Sequence, residues 1–275
     1  MNLVLEVTGR RPDGYHEIDT VLQALALADR VTVTVGAAAG VAVAGPFAAG
    51  TPADETNLAW RAAEALARQL GHSLTGVSVA LEKQIPAAGG LGGGASDAAA
   101  VIRLLGERWG ATHEQELAAA NSVGSDEAFF LVGGTARARG RGERVERLIP
   151  LPRQPLVLFI PLATVERKTA RMFAALDELP FDSGEVSEAF ARRQPGSVRA
   201  AAVFNAFERV AFDVFEGLAE LRAALEGRIG EPVHLAGAGP TLFWIGSDEG
   251  QARRALASAR GLACSAILTT TEPGE

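Results

Sequence analysis

Apolar and polar positions along the chain change period several times, and each change predicts an element. NLVLEV at residues 2–7 is a short apolar run followed by RRPDG, so it predicts a strand and then a turn. Val31, Val33 and Val35 alternate with polar residues and predict a half-buried strand; GVAVAG at 40–45 predicts a short one. The period then becomes helical. Leu58, Ala62, Ala63, Leu66 and Leu70 share one face of a helix expected within 55–71, with Gly71 as its stop. Val77, Val79 and Leu81 return to alternation and predict another strand.

Two helices follow, over 96–110 with Ser96 or Asp97 as cap and over 112–124 with Thr112 as cap. TARARGRGERVERLIPL at 135–151 alternates around a glycine turn and predicts a hairpin. A new unit opens at RQPLVLFIP, residues 153–161, with a strand. A helix is expected near 168–179, then an acidic glycine-containing loop, then helices over 198–215 and 218–227. VHLAGAGPTLFWIG predicts strand, glycine turn and strand, EGQARRALASARG a helix, and ACSAILTTT a last strand. The fold class is α+β, with two domains expected at 1–152 and 153–275.

Composition then excludes several functions. The chain has 275 residues, a formal charge of −7 and no basic stripe, so nucleic acid is not an expected partner. No apolar stretch approaches the roughly 20 residues of a spanning helix, so no membrane partner is expected. Cys264 is the single cysteine, which fits a reducing compartment; the N-terminus lacks a signal-peptide plan, and a cytoplasmic protein is expected. His16, His72, His113 and His234 have no metal-ligand spacing. Lys83 and Lys168 are the only lysines.

The candidate chemistry sits in PAAGGLGGGAS: Pro86, Ala87, Ala88, Gly89, Gly90, Leu91, Gly92, Gly93, Gly94, Ala95 and Ser96. Five glycines in six residues carry a backbone-entropy cost that a simple turn does not require. Glycines admit an anion close to backbone N–H groups, and a helix start adds partial positive charge, so the stretch predicts a phosphate-binding loop. It lacks the Gly-Lys-Ser/Thr end of a Walker A loop. GLGGGA fits the loose dinucleotide pattern, but a second helix follows where that pattern needs a strand. The H-R-D and D-F-G segments of protein kinases are absent.

These residues resemble the second motif of the GHMP small-molecule kinases. GRRPDGYHEIDTVLQAL, NSVGSDEAFFLVGGTARARGRGE and LAGAGPTLFWIG fall in the order of that family, and VFNAFERVAF is similar to a further family segment. The resemblance implies a two-domain GHMP kinase fold, with a ribosomal-protein-like N-terminal half and a ferredoxin-like C-terminal half. It implies phosphoryl transfer from ATP with Mg²⁺ to the 2-hydroxyl of a cytidine diphosphate-linked sugar alcohol, with no tightly bound protein metal site.

Residue by residue, it implies Asp126 as the catalytic carboxylate and residues 86–96 around the triphosphate, with Ser96 reaching the metal or the phosphates. Asn57 and Lys83 would line the adenine pocket. Tyr15 and His16 would bind the cytosine, Phe173 would sandwich it, and Asn2, Gly237, Gly239 and Thr241 would contact the acceptor or close on it. By residue chemistry alone Asp126 also suits a helix cap, and Phe173 a core position. The family opens Ala-Lys-x-Asn-Leu-x-Leu, whereas this chain opens MNLVL, so the family's lysine would fall just before Met1. Two readings follow: a natural start further upstream, or a weakened nucleotide-binding homologue. A GHMP kinase acting on homoserine, mevalonate or a sugar is the rival assignment, and RPDGYHE argues against it, because a cytosine-binding pair has no use there.

Overall fold

The structure, a computed structural model, describes residues 1–87, 89–162, 168–192, 196–198 and 202–274. Chain order is β1 (Asn2–Arg10), β2 (His16–Gln23), β3 (Arg30–Val35), β4 (Gly40–Ala44), α1 (Leu58–Leu70), β5 (Val77–Glu82), α2 (Gly93–Trp109), α3 (His113–Val123) and α4 (Glu127–Val132). It continues through β6 (Thr135–Gly140), β7 (Arg144–Arg147), β8 (Pro155–Pro161), α5 (Lys168–Leu176), α6 (Glu185–Ala191), β9 (Phe204–Asn205), α7 (Glu208–Val214) and α8 (Leu218–Ile229). The last elements are β10 (His234–Leu235), β11 (Leu242–Ile245), α9 (Glu249–Ser258) and β12 (Cys264–Thr270).

Three sheets result, ordered β7-β6-β2-β1-β9, β3-β5-β4 and β10-β11-β8-β12. The alternation of Val77, Val79 and Leu81 buries one face of β5 against Ala62, Ala63 and Leu66 of α1 and Ile102 and Leu105 of α2. Helix α1 ends on Gly71 at φ 72°, and Thr112 caps α3 in a reciprocal capping box with Gln115, both as the spacing predicts. A second core joins β8 and β11 to α5, α7, α8 and α9. A third sets Leu3 and Val4 of β1 against Leu156, Leu158 and Phe243, so the two halves of the chain share buried surface.

Three expectations are corrected. Helix α2 starts at Gly93 with Gly92 before it, and neither Ser96 nor Asp97 caps it. The Ser96 hydroxyl donates to the Gly93 carbonyl, and the Asp97 carboxylate accepts from Lys83. The helix expected over 198–215 is α7 alone. Phe204 and Asn205 instead pair in parallel with Val4 and Leu5, and the Asn205 side chain is spent on Leu235, Gly237 and Phe207. Residues 199–201 lie outside the described residues. The acidic loop contains α6, whose first turn is fixed by the Glu6 carboxylate accepting from Gly184 and Ser187.

Candidate functional site: two cavities that meet at one carboxylate

The glycine loop leaves β5 and enters α2. Two of its glycines have left-handed backbone, Gly90 at φ 81° and Gly92 at φ 73°. A Cβ on Gly90 would collide with the Ala236 carbonyl, and one on Gly237 would sit 2.9 Å from the Gly90 carbonyl oxygen. The loop therefore lies backbone against backbone on the turn between β10 and β11. A Cβ on Gly92 would strike the Phe130 ring at 2.8 Å. Part of the glycine density is thus a packing requirement.

The loop walls a cavity of about 480 Å³. Pro86, Ala87, Gly89, Gly90, Leu91, Gly92, Gly93, Gly94 and Ala95 line it, and the α2 N-terminus opens onto it. Ser96 is not in that wall, because its hydroxyl is turned to Gly93. Ala88 lies outside the described residues. Asn57 and Lys83 both reach the cavity but are heavily committed. Asn57 caps α1, accepting from Ala59 N at 2.9 Å and donating to Pro52 O at 2.6 Å. Lys83 is buried between Asp29 and Asp97, donating to Asp97 at 2.5 Å and also to Asp29. The second Asp29 oxygen accepts from Gln84 N and Ile85 N, which ties the approach to the loop. Burial raises the Asp97 carboxyl to about 6 against the pull of Lys83.

A second cavity of about 730 Å³ lies on the other side. The turn between β1 and β2 builds its rim: Gly14 is left-handed, and the Arg11 guanidinium holds Asp13 and Glu17. Tyr15 stands half exposed with Arg141 over its ring at 4.7 Å. His16 donates from Nε2 to Asp177 at 2.7 Å and stacks on Phe173 with 4.3 Å between centroids. Phe173 meets Phe207 edge-on at 4.9 Å, so one ring serves both the core and the cavity. Asn2 and Gly237 complete this wall, and Asn2 donates to Thr20 at 2.8 Å. Thr241 is fully buried behind the glycine loop, where its N–H donates to Gly89 O, and it reaches neither cavity. Gly239 likewise stands behind the wall; its carbonyl accepts from Lys168.

Six residues border both cavities: Gly90, Gly92, Ser125, Asp126, Lys168 and Thr169. Asp126 occupies the N-cap position of α4 but makes no capping hydrogen bond. Its carboxylate opens onto the cleft, and desolvation by the cleft walls raises its pKa above the ordinary aspartate value; the buried Met1 ammonium opposes that rise. The Met1 nitrogen donates to Gln23 O at 3.0 Å, and burial lowers it to about 6. The Ser125 backbone is held by Gly142, where a Cβ would sit 2.6 Å from the Ser125 carbonyl oxygen. Sequence reasoning found Asp126 but missed Ser125, Lys168, Thr169, Arg141 and Asp177. The isolation of Lys168 as one of two lysines in an arginine-rich chain was the one available signal for it.

A glycine-loop cavity and a second cavity meet at one carboxylate, and the α+β frame that carries them is that of the GHMP small-molecule kinases. Residues 57–134 match the GHMP kinases N terminal domain. The chain is 39% identical to the 4-diphosphocytidyl-2-C-methyl-D-erythritol kinase of Pelotomaculum thermopropionicum, over 98% of this chain and 95% of the relative. It is 37% identical to the enzyme of the same name from Exiguobacterium sibiricum, over 100% and 96%. A crystal structure of 4-(cytidine 5'-diphospho)-2C-methyl-D-erythritol kinase superposes with a TM-score of 0.76 at 36% identity, covering 99% of this chain and 97% of that one. The chain belongs to the 4-diphosphocytidyl-2-C-methyl-D-erythritol kinase family.

Proposed function

We propose that this chain transfers the γ-phosphoryl group of ATP to the 2-hydroxyl of 4-diphosphocytidyl-2-C-methyl-D-erythritol, in non-mevalonate isoprenoid precursor biosynthesis. The observation that carries the reading is the pair of cavities sharing Asp126. The glycine-loop cavity takes the nucleotide, its triphosphate lying along the backbone N–H groups and the α2 N-terminus. The second cavity takes the acceptor, with the Tyr15 ring as a stacking face and the His16–Phe173 pair beside it for the cytosine. Asn2 and Gly237 border the sugar-alcohol end.

Asp126 faces the acceptor hydroxyl, orients it and accepts its proton. Its raised pKa makes it a better base than a free carboxylate. Phosphoryl transfer has a loose transition state, so the placement of Asp126 where the two cavities meet outweighs early deprotonation. Among the described residues no cluster of three or more His, Cys, Asp or Glu side chains could hold a metal ion. Magnesium enters this reading with the nucleotide, as part of that substrate. No described helix is long and apolar enough to cross a membrane, and the reading sets the reaction in the cytoplasm. Residues 1–152 are read as the half carrying the nucleotide loop and base, and 153–275 as the half that closes the site.

The test is ADP release with Mg-ATP and 4-diphosphocytidyl-2-C-methyl-D-erythritol, with homoserine and mevalonate as parallel acceptors. Turnover with the first compound alone is expected. Equal or greater turnover with either control overturns the acceptor assignment.

A further inference from the structure

Lys168, the first residue of α5, is the basic member of the six residues shared by the two cavities, and Asp126 is the acidic one. Its ammonium donates to the Gly239 carbonyl. That carbonyl belongs to the turn that packs against Gly90. One N–H is spent there, and two of the three donors of the ammonium remain. Among the described residues no carboxylate lies within ion-pair distance of Lys168. The other lysine of the chain, by contrast, has two such partners.

Burial lowers the Lys168 pKa to about 8. A largely buried cation without a counter-ion is costly to the folded state. The cost is offset when an anion of matching geometry enters, and the place where Lys168 stands is the seam between a phosphate loop and an acceptor pocket.

We propose that Lys168 holds the phosphoryl group in transit, its ammonium donating to the non-bridging oxygens while Gly239 fixes the side chain. The assignment rests on the kinase reading above. In that step the acceptor oxygen bonds to the γ-phosphorus and the bond from that phosphorus to the β–γ bridging oxygen breaks. ADP leaves with the bridging electron pair, and the hydroxyl proton passes to Asp126. Lys168 exchanges no proton. Its charge offsets the negative charge spread over the transferring oxygens.

The experiment compares wild type with Lys168→Met and Lys168→Arg in turnover, in affinity for ADP and for a non-hydrolysable ATP analogue, and in thermal midpoint. For the methionine variant kcat should fall by roughly 10²–10³, as for loss of one preorganised charge at a transition state. The wild-type preference for the analogue over ADP should collapse, because ADP lacks the group Lys168 holds. The midpoint should not fall, and arginine should restore part of the rate. Turnover of the methionine variant within about threefold of wild type overturns the assignment. So does an equal loss of affinity for ADP and analogue, which would make Lys168 a strut for the Gly239 turn. If wild type turns over no acceptor, the acceptor reading fails, and the analogue-to-ADP ratio still decides Lys168.

Discussion

The two lysines of this chain live in opposite surroundings. Lys83 is 3% exposed and wedged between Asp29 and Asp97, at 1% and 3%. The triad joins the segment just after β5, helix α2 and the segment before β3, and through Gln84 and Ile85 it fixes the approach to the glycine loop. Lys168 has a backbone carbonyl and open cavity on either side. Burial with partners is architecture: the ammonium is held between two carboxylates that tie three segments together. Burial without partners stores a demand for an anion. The same residue type, equally sparse in sequence, is a rivet in one place and a receptor in the other.

The largest effect expected from this contrast is at Lys83. Lys83→Met leaves two carboxylates buried without their cation, a loss of about 3–5 kcal/mol. Chemical denaturation should show it as a lower midpoint with an unchanged slope. A variant as stable as wild type would mean that the triad is not the rivet its geometry describes. The corresponding change at Lys168 should cost turnover and leave stability intact, and reversal of the two patterns would break the comparison.

The acidic partner across the cleft gives the next largest effect. Asp126→Asn should reduce kcat by roughly 10²–10³ through loss of the proton acceptor. Its native pKa is raised, so the ionised form is disfavoured in the folded state, and the neutral variant should be at least as stable as wild type at neutral pH. A variant that loses activity and stability together would place Asp126 with the architectural charges instead.

Legibility in the sequence follows the same division. Elements built on local periodicity were readable: α1 with its Gly71 stop, α3 with its Thr112 cap, and the β6–β7 hairpin. Elements held by distant partners were not. The seven residues of α6 carry too little pattern of their own and take their first-turn acceptors from Glu6, about 180 residues away. Asn205 looks like part of a helix until its side chain is seen pinning Leu235 and Gly237.

The site divides likewise. Motif residues such as Asp126 and the glycine loop stood out by their spacing, and the structure brings them to one cavity wall. Ser96 and Thr241 matched the motif, yet the Ser96 hydroxyl is turned to the Gly93 carbonyl and Thr241 is fully buried behind the glycine loop. Asp29 and Lys168 belong to no local pattern; each acquires its role only when segments 54 and 71 residues away close around it.

The smallest effect tests whether the triad is fully satisfied. One ammonium faces two carboxylates, and Asp97 Oδ1 is buried without a hydrogen-bond partner. Desolvation raises Asp97 from 3.8 to about 6 despite its contact with Lys83. The folded state therefore binds this proton more tightly than the unfolded state. The contribution of Asp97 to stability falls as pH rises from 3.8 to about 6, and above that window the full cost of the ionised group is present. Asp97→Asn removes the titration while keeping an oxygen to accept from Lys83. The difference in unfolding free energy between wild type and Asp97→Asn should move by about 1–3 kcal/mol across the window, in favour of the variant at the higher pH. The comparison is made as a difference because carboxylates such as Asp13 and Glu188, held low by arginines, slope the other way in both proteins. A constant difference would show that Lys83 neutralises both carboxylates, making the contrast with Lys168 sharper still.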